Sequence, residues 1–287
     1  MTDGITQLLQ SLQLQTLEDN AQLARYSGRA SDDSGNRIYG GQVLAQALAA
    51  MQDTAEQALI AHSMHAYFLR PGDPHTDVEY RVDKLRDGRS FSTRSVTASQ
   101  HGKVIFSATG SFQRPEQGLE HSIEMPAAAA PEQLVNEERR IDALFEKRGI
   151  SNDYSWPIDI RYVDPPDLER PGPRPARELV WVKATGVLPS SQAVHQQVLA
   201  YASDNPILVP AFNPHGLGPL AEDVIATTIS HSLWLHRPAR ADEWLLFDVN
   251  SDTTMSGRGM GQARIFSRDD QLVASAVQEG LVRLRNA

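Results

Sequence analysis

The sequence predicts an α+β fold built twice, each unit being one apolar helix followed by an antiparallel meander of strands. Two observations predict it. The tetrapeptide Gln-Val-Leu-Ala occurs as Gln42-Val43-Leu44-Ala45 and again as Gln197-Val198-Leu199-Ala200, each time in a run apolar on most sides and each time followed by strand-like segments. Later landmarks then repeat in the same order: Tyr67-Phe68-Leu69-Arg70-Pro71 with Trp234-Leu235-His236-Arg237-Pro238, and Gly88-Arg89 with Gly257-Arg258, at offsets that drift only from 155 to 169 residues across the 287-residue chain.

The elements follow in order. Ile5, Leu8, Leu9 and Leu12 stand at near-helical spacing and predict a short amphipathic helix over 2–17. An irregular polar stretch over 27–37 leads to Gly40-Gly41, which open the first repeated helix through Met51. Segments 62–69, 76–84, 90–99 and 104–112 read as strands, punctuated by Pro71-Gly72-Asp73, Asp87-Gly88 and His101-Gly102. From 113 to 176 the composition shifts to proline, alanine and charge, with one helix over 131–147 and a loop from Asp164-Pro165-Pro166 to Pro175. A strand over 178–185 and a helix over 190–203 with Ser190 or Ser191 as N-cap begin the second unit, and strands over 224–235, 243–250, 261–268 and 272–284 complete it. The expected organisation is an N-terminal unit over 1–113, a connection over 114–176 and a C-terminal unit over 177–287. A central helix wrapped by five or six antiparallel strands, present twice, is the arrangement known as a tandem double hot dog.

Composition narrows the function. At 40% hydrophobic and 22% charged residues the chain is an ordinary globular protein with room for two domains. It has no cysteine, which excludes disulfides, thiolate nucleophiles and cysteine-ligated metals, and makes the cytoplasm the expected location. No segment approaches the roughly 20 apolar residues of a membrane span, Met-Thr-Asp-Gly lacks the basic and apolar regions of a signal peptide, Arg285-Asn286-Ala287 is not an address of the Ser-Lys-Leu kind, and no membrane partner is expected. A net charge of −9 without a basic run argues against nucleic acid. An anionic small molecule needs only a local patch, which Arg70, Lys84, Arg86 and Arg89, or Arg258 and Arg264, supply as candidates against the alternative of solvated strand edges.

Several catalytic devices are missing: no Gly-x-Ser-x-Gly elbow, no Walker A lysine loop and no His-Glu-x-x-His pair. Gly257-Arg258-Gly259-Met260-Gly261 leads into a strand and so does not read as a dinucleotide loop. His62 and His65 on one strand point to opposite faces, which disfavours a metal, and no metal or cofactor is expected. The informative signal is the asymmetry of the repeat. Overlaying the copies sets Asp204 opposite Ala49, Thr228 opposite Ala61 and Gln278 opposite Thr109, so the second copy alone has a carboxylate with polar company. Asp204 stands at the C-terminal end of its helix, where the macrodipole disfavours a negative charge and Asn205-Pro206 ends the helix. Gln278 interrupts an apolar strand, and a buried amide needs partners. Taken singly, each has a plain alternative: a solvated helix end, a β-branched strand residue, a polar interruption.

The segments Ile38-Tyr39-Gly40-Gly41-Gln42-Val43-Leu44-Ala45-Gln46-Ala47, His65-Ala66-Tyr67-Phe68-Leu69-Arg70-Pro71-Gly72-Asp73, Tyr201-Ala202-Ser203-Asp204, 228–238 and Val277-Gln278-Glu279-Gly280 together resemble the acyl-CoA thioesterase II family, in the correct order and over nearly the whole chain. The resemblance implies a double hot dog, hydrolysis of acyl-CoA to fatty acid and CoA, and an Asp, Ser/Thr and Gln set that holds the attacking water, here Asp204, Thr228 and Gln278. Where the family commonly has an aspartate two residues after the threonine, this chain has Ser230; positions two apart on a strand share a face, so Ser230 is expected beside the site.

On this reading Asp204 is the general base and no covalent acyl-enzyme forms. Gly40 and Gly41 present backbone N–H groups to the thioester or CoA, with simple turn glycines as the alternative. His65 and Ser230 join them as expected substrate-binding residues, the acyl group being medium or long chain. Two rivals remain: an enoyl-thioester hydratase or dehydratase, which needs a histidine that does not follow Asp204 until His215, and a noncatalytic acyl-CoA-binding module. Self-association into a homo-oligomer is expected.

Overall fold

The two repeated helices and the strands that follow them form in the computed structural model, which describes residues 3–30, 37–150, 155–169, 172–218, 221 and 224–285. The order is α1 (Gly4–Ser11), β1 (Gln15–Asp19), β2 (Leu23–Gly28), α2 (Gly40–Asp53), β3 (Ile60–Phe68), β4 (Val78–Asp87), β5 (Phe91–Gln100), β6 (Lys103–Gln113), α3 (Glu137–Lys147), β7 (Ile158–Tyr162), β8 (Arg177–Ala184), α4 (Gln192–Ser203), β9 (Val224–Leu235), β10 (Leu245–Met255), β11 (Arg258–Ser267) and β12 (Leu272–Leu284). The strands form one twelve-stranded sheet in the order β1-β2-β4-β5-β6-β3-β9-β12-β11-β10-β8-β7, with every neighbouring pair antiparallel. The two units are the two halves of that order, six strands each, reversed about the β3–β9 junction.

That junction carries the pseudo-symmetry. His65 pairs with Ser232, Met64 with Leu233 and Ala66 with His231, so exchanging the halves maps the His65–Ser232 pair onto itself. Both copies also bulge at the matching place: His62 in β3 and Ile229 in β9 have no partner in the register. The register corrects one alignment. Met64 pairs with Gly110 and its counterpart His231 pairs with Gln278, so Gln278 corresponds to Gly110 and not to Thr109. A one-residue slip on a strand exchanges faces, and Thr109 indeed points outward while Gly110 and Gln278 point inward.

The helices lie on the inner face. α2 buries every residue from Gly41 to Met51, because it packs against the sheet on one side and against antiparallel α4 on the other. Its buried amides are satisfied: Gln46 donates to Ser11 O and Arg29 O and accepts from the Tyr80 hydroxyl, while Gln42 donates to Arg29 O. At its C-terminal end the buried Arg94 guanidinium donates to Thr54 O, Thr54 Oγ1, Arg86 O and the Asp87 carboxylate, a cation where the helix dipole favours one. One core spans both halves, joining Leu44, Leu48 and Met51 to Val198, Leu199 and Ile265.

Three elements differ from expectation. The first helix stops at Ser11 rather than reaching residue 17, and β1 and β2 form a hairpin on the edge of β4 where the sequence predicts no strand. The helix over 131–147 is split into a 3-10 turn, Pro131–Gln133, and α3, because Leu134 is extended and Asn136 caps the N-terminus by accepting from Arg139 N. The connection also contains β7, which pairs with β8 as β1 does with β2. Parts of the stretches 27–37 and 164–175 lie outside the described residues.

Candidate active site

Pro206 cannot extend α4, so the helix ends at Ser203 and Asp204 is its C-cap. The carboxylate there faces a row of donors. Thr228 Oγ1 donates to Asp204 Oδ1 at 2.9 Å, and Gln278 Nε2 donates to Asp204 Oδ1 at 2.7 Å and to Thr228 Oγ1 at 2.6 Å. The Gly41 backbone N–H, at the N-terminus of α2, adds a further favourable pull on the carboxylate. The unfavourable dipole of α4 is thereby answered by the favourable end of the antiparallel helix from the other half. Burial pushes the Asp204 carboxyl up to about 6, against the opposing pull of Thr228, the Gly41 N–H, the field of Arg37 and Gln278.

The site opens into a cavity of about 520 Å³ between the end of β3, the start of α2 and the 3-10 segment after α4. Exposed Arg37 and Arg70 stand on its lining, and buried Val43, Phe106, Leu208 and Phe212 make its apolar wall. Gly40 also lines it and must lack a side chain: a Cβ there would stand 2.7 Å from Asp204 Oδ2 and 3.1 Å from the Phe68 ring. At Gly41 a Cβ would come within 2.3 Å of Tyr201 O. These glycines are what allow the two helix ends to meet.

Asp204, Thr228, Gln278, Gly40 and Gly41 therefore come together in one place. Two other expected residues do not. His65 lies on the outer face of the sheet, bonded to Ser232 Oγ at 3.0 Å and edge-on to Trp234. Ser230 pairs with exposed Tyr67 on that same outer face, because the bulge at Ile229 breaks the two-residue period between Thr228 and Ser230. A bulge adds one residue to one strand, and Ile229 has no sequence signature that announces it. Of the basic candidates, Arg70 reaches the cavity, while Lys84 pairs with Asp19, Arg258 with Glu279 and Arg264 with Asp248. His215 is exposed in a turn and lines no part of the cavity. Sequence reasoning singled out neither Leu208 and Phe212 nor the two neighbours Ser203 and His231; the helix-to-strand offset, 155 against 167 residues, was the signal that the second copy carries extra chain after its helix.

The acyl-CoA thioesterase N-terminal domain family matches residues 29–113 and the acyl-CoA thioesterase family matches residues 154–281. Acyl-CoA thioesterase 2 of Haemophilus influenzae is 36% identical over 99% of this chain and 99% of its own. The chain belongs to the acyl-CoA thioesterase family. It is a thioester hydrolase acting on acyl-CoA, which removes the hydratase and the noncatalytic module as readings. Mouse acyl-coenzyme A thioesterase 8 is 35% identical over 87% of this thioesterase and 81% of its own length. The crystal structure of an acyl-CoA thioesterase II from Mycobacterium marinum, 36% identical, superposes with a TM-score of 0.79 over 96% of this chain and 98% of that one. A hot-dog protein of unknown function from Alicyclobacillus acidocaldarius, only 15% identical, superposes at 0.73 over 96% of this chain and 98% of that one, which shows the double hot-dog fold alone.

Proposed function

We propose that this thioesterase hydrolyses medium- and long-chain fatty acyl-CoA by direct attack of water, with Asp204 as general base. The observation that carries the proposal is a buried carboxylate, Asp204, held by two side-chain donors at a helix N-terminus on the wall of an apolar cavity, where burial raises its carboxyl to about 6. Such a group is ionised at neutral pH yet basic enough to take a proton. Thr228 and Gln278 both bond Oδ1 and hold the carboxylate, and the remaining oxygen, Oδ2, stands beside Gly40. A water hydrogen-bonded there loses a proton to Asp204 as its oxygen bonds to the thioester carbon. The carbonyl oxygen takes the negative charge near the first N–H of α2: Gln42 N and Val43 N bond to Tyr39 O and Gly41 N to Asp204, which leaves Gly40 N among these for the developing oxyanion. Collapse breaks the C–S bond, and the departing thiolate recovers the proton from Asp204, giving free acid and CoA. Arg37 and Arg70 match the phosphates of CoA, and the Phe106–Phe212 wall matches an alkyl chain.

The test is thiol release from acyl-CoAs of graded chain length by wild type and Asp204→Asn. Turnover falls by at least about 10²-fold in the variant, with the fold intact by circular dichroism. A folded Asp204→Asn that keeps full turnover overturns the assignment.

A further inference from the structure

The step from Leu to Ser at one helix position and from Met to His at one strand position separates the two copies next to the site. Three residues after Gln-Val-Leu-Ala the first helix has Leu48 and the second has Ser203. One residue before the symmetric His65–Ser232 pair, β3 has Met64 and β9 has His231. Leu48 and Met64 are both buried in the main core, at 1% and 2% exposure, so the fold accepts an apolar pair at these positions. Ser203 and His231 are equally buried, at 0% and 1%, yet polar. The ring Nε2 donates to Ser203 Oγ at 3.0 Å and the Ser203 hydroxyl donates to Ala200 O at 2.9 Å, which assigns the ring proton to Nε2. Nδ1 has no hydrogen-bond partner among the described residues. Burying an imidazole with half its polar capacity unmet costs stability that a Leu–Met pair would not.

The two residues touch the site on all three of its elements. Ser203 precedes Asp204 on α4, His231 lies three residues after Thr228 on β9, and His231 is the cross-strand partner of Gln278 on β12. α4 needs such a tie. Pro206 has no N–H to bond back to Ala202 O, so the helix ends here and Ser203 and Asp204 lie in its last turn. In the first copy α2 continues to Asp53 and needs no equivalent.

We infer that Ser203 and His231 are a positioning pair, whose hydrogen bond fixes the last turn of α4 on β9 and so holds the Asp204 carboxylate against Thr228, Gln278 and the bound water. The inference rests on Asp204 being the base. Neither residue lines the cavity, so both act through Asp204 and not on substrate.

The experiment installs the first copy's own pair. Ser203→Leu/His231→Met is expected to fold, to melt at or above the wild-type temperature, and to lose roughly ten- to hundredfold in kcat with KM changed by less than about threefold. Ser203→Ala and Ser203→Thr guard against misfolding of the double variant: Ala lowers kcat and Thr, which keeps the hydroxyl, restores it. A folded double variant, or a folded Ser203→Ala, with wild-type kcat overturns the inference, as does a loss of kcat that Thr fails to restore. Asp204→Asn run alongside separates the two failures. If that variant stays fully active, the reading of the base has failed; if it is inactive while Ser203→Leu/His231→Met is fully active, only the positioning pair has.

Discussion

With Asp204 as the proposed base, pH acts on this enzyme through its carboxyl. Its carboxyl is raised to about 6 because burial outweighs its hydrogen bonds and the field of Arg37, while the other titratable neighbour, His231, is pushed down to about 4 and stays neutral above that. kcat/KM is therefore expected to be flat above neutrality and to fall tenfold per pH unit below about 6, in a profile that Asp204→Asn abolishes. An acid limb near 4 would contradict the shift. The stability sign follows: a carboxyl whose folded value lies above its unfolded 3.8 contributes stability that is full below 3.8 and lost as pH rises through about 6. At this scale the sequence was readable where the repeat supplied a control. Ala49 and Ala61 made Asp204 and Thr228 visible as departures. Ser230 was misplaced because facing was inferred from spacing, and one bulged residue reverses it.

Two helices contain the same tetrapeptide and end differently, and that difference makes the cavity. α2 runs past the position of Asp204 and puts Met51 against Gly110, the counterpart of Gln278, where a Cβ would stand 2.9 Å from the methionine. In the second copy Pro206 stops the helix, and the chain crosses the inner sheet face as 3-10 turns that supply Leu208, Val209 and Phe212 to the cavity. The sheet accepts this segment through glycines: a Cβ at Gly261 would stand 1.8 Å from Ile207 O, one at Gly280 2.3 Å from Leu208 Cδ2, and one at Gly259 2.8 Å from Ala211 Cβ. Because the Gly261 contact is with backbone, Gly261→Ala must displace the segment. It is expected to cost roughly 1–3 kcal/mol and to lower kcat/KM for long acyl chains, read by denaturant unfolding and thiol release. Gly118→Ala, with nothing within 4 Å, should change neither. Within Gly257-Arg258-Gly259-Met260-Gly261, Gly259 and Gly261 thus serve packing against this segment. The hairpin of β1 and β2 went unread because β1 is polar and exposed along its whole length, and only the edge of β4 makes it a strand.

The molecule has two pseudo-equivalent places and one set of the proposed catalytic groups. At the other place Ala49, Ala61 and Gly110 replace the carboxylate, hydroxyl and amide, His195 and Gln196 stand where Gly40 and Gly41 would be, and Gln196 Nε2 bonds to Ala61 O at 2.9 Å. Side chains fill the space that substrate needs. Titration of Asp204→Asn with a nonhydrolysable acyl-CoA ether should accordingly give one bound molecule per chain, and a stoichiometry of two would show the second place to be open.

The sequence by itself determined the doubled α+β fold, since a repeated tetrapeptide at a consistent offset and the change from helical to alternating period are local and survive without coordinates. It also marked Asp204 and Thr228, because a duplicated chain contains its own apolar reference in Ala49 and Ala61, and Gln278 as a polar interruption of an apolar strand. Only the tertiary structure decided which face each strand residue takes, that the two six-stranded units are one sheet joined at β3 and β9, and that the start of α2 answers the end of α4. Those facts depend on bulges, register and the antiparallel meeting of helices some 160 residues apart, which no local pattern encodes.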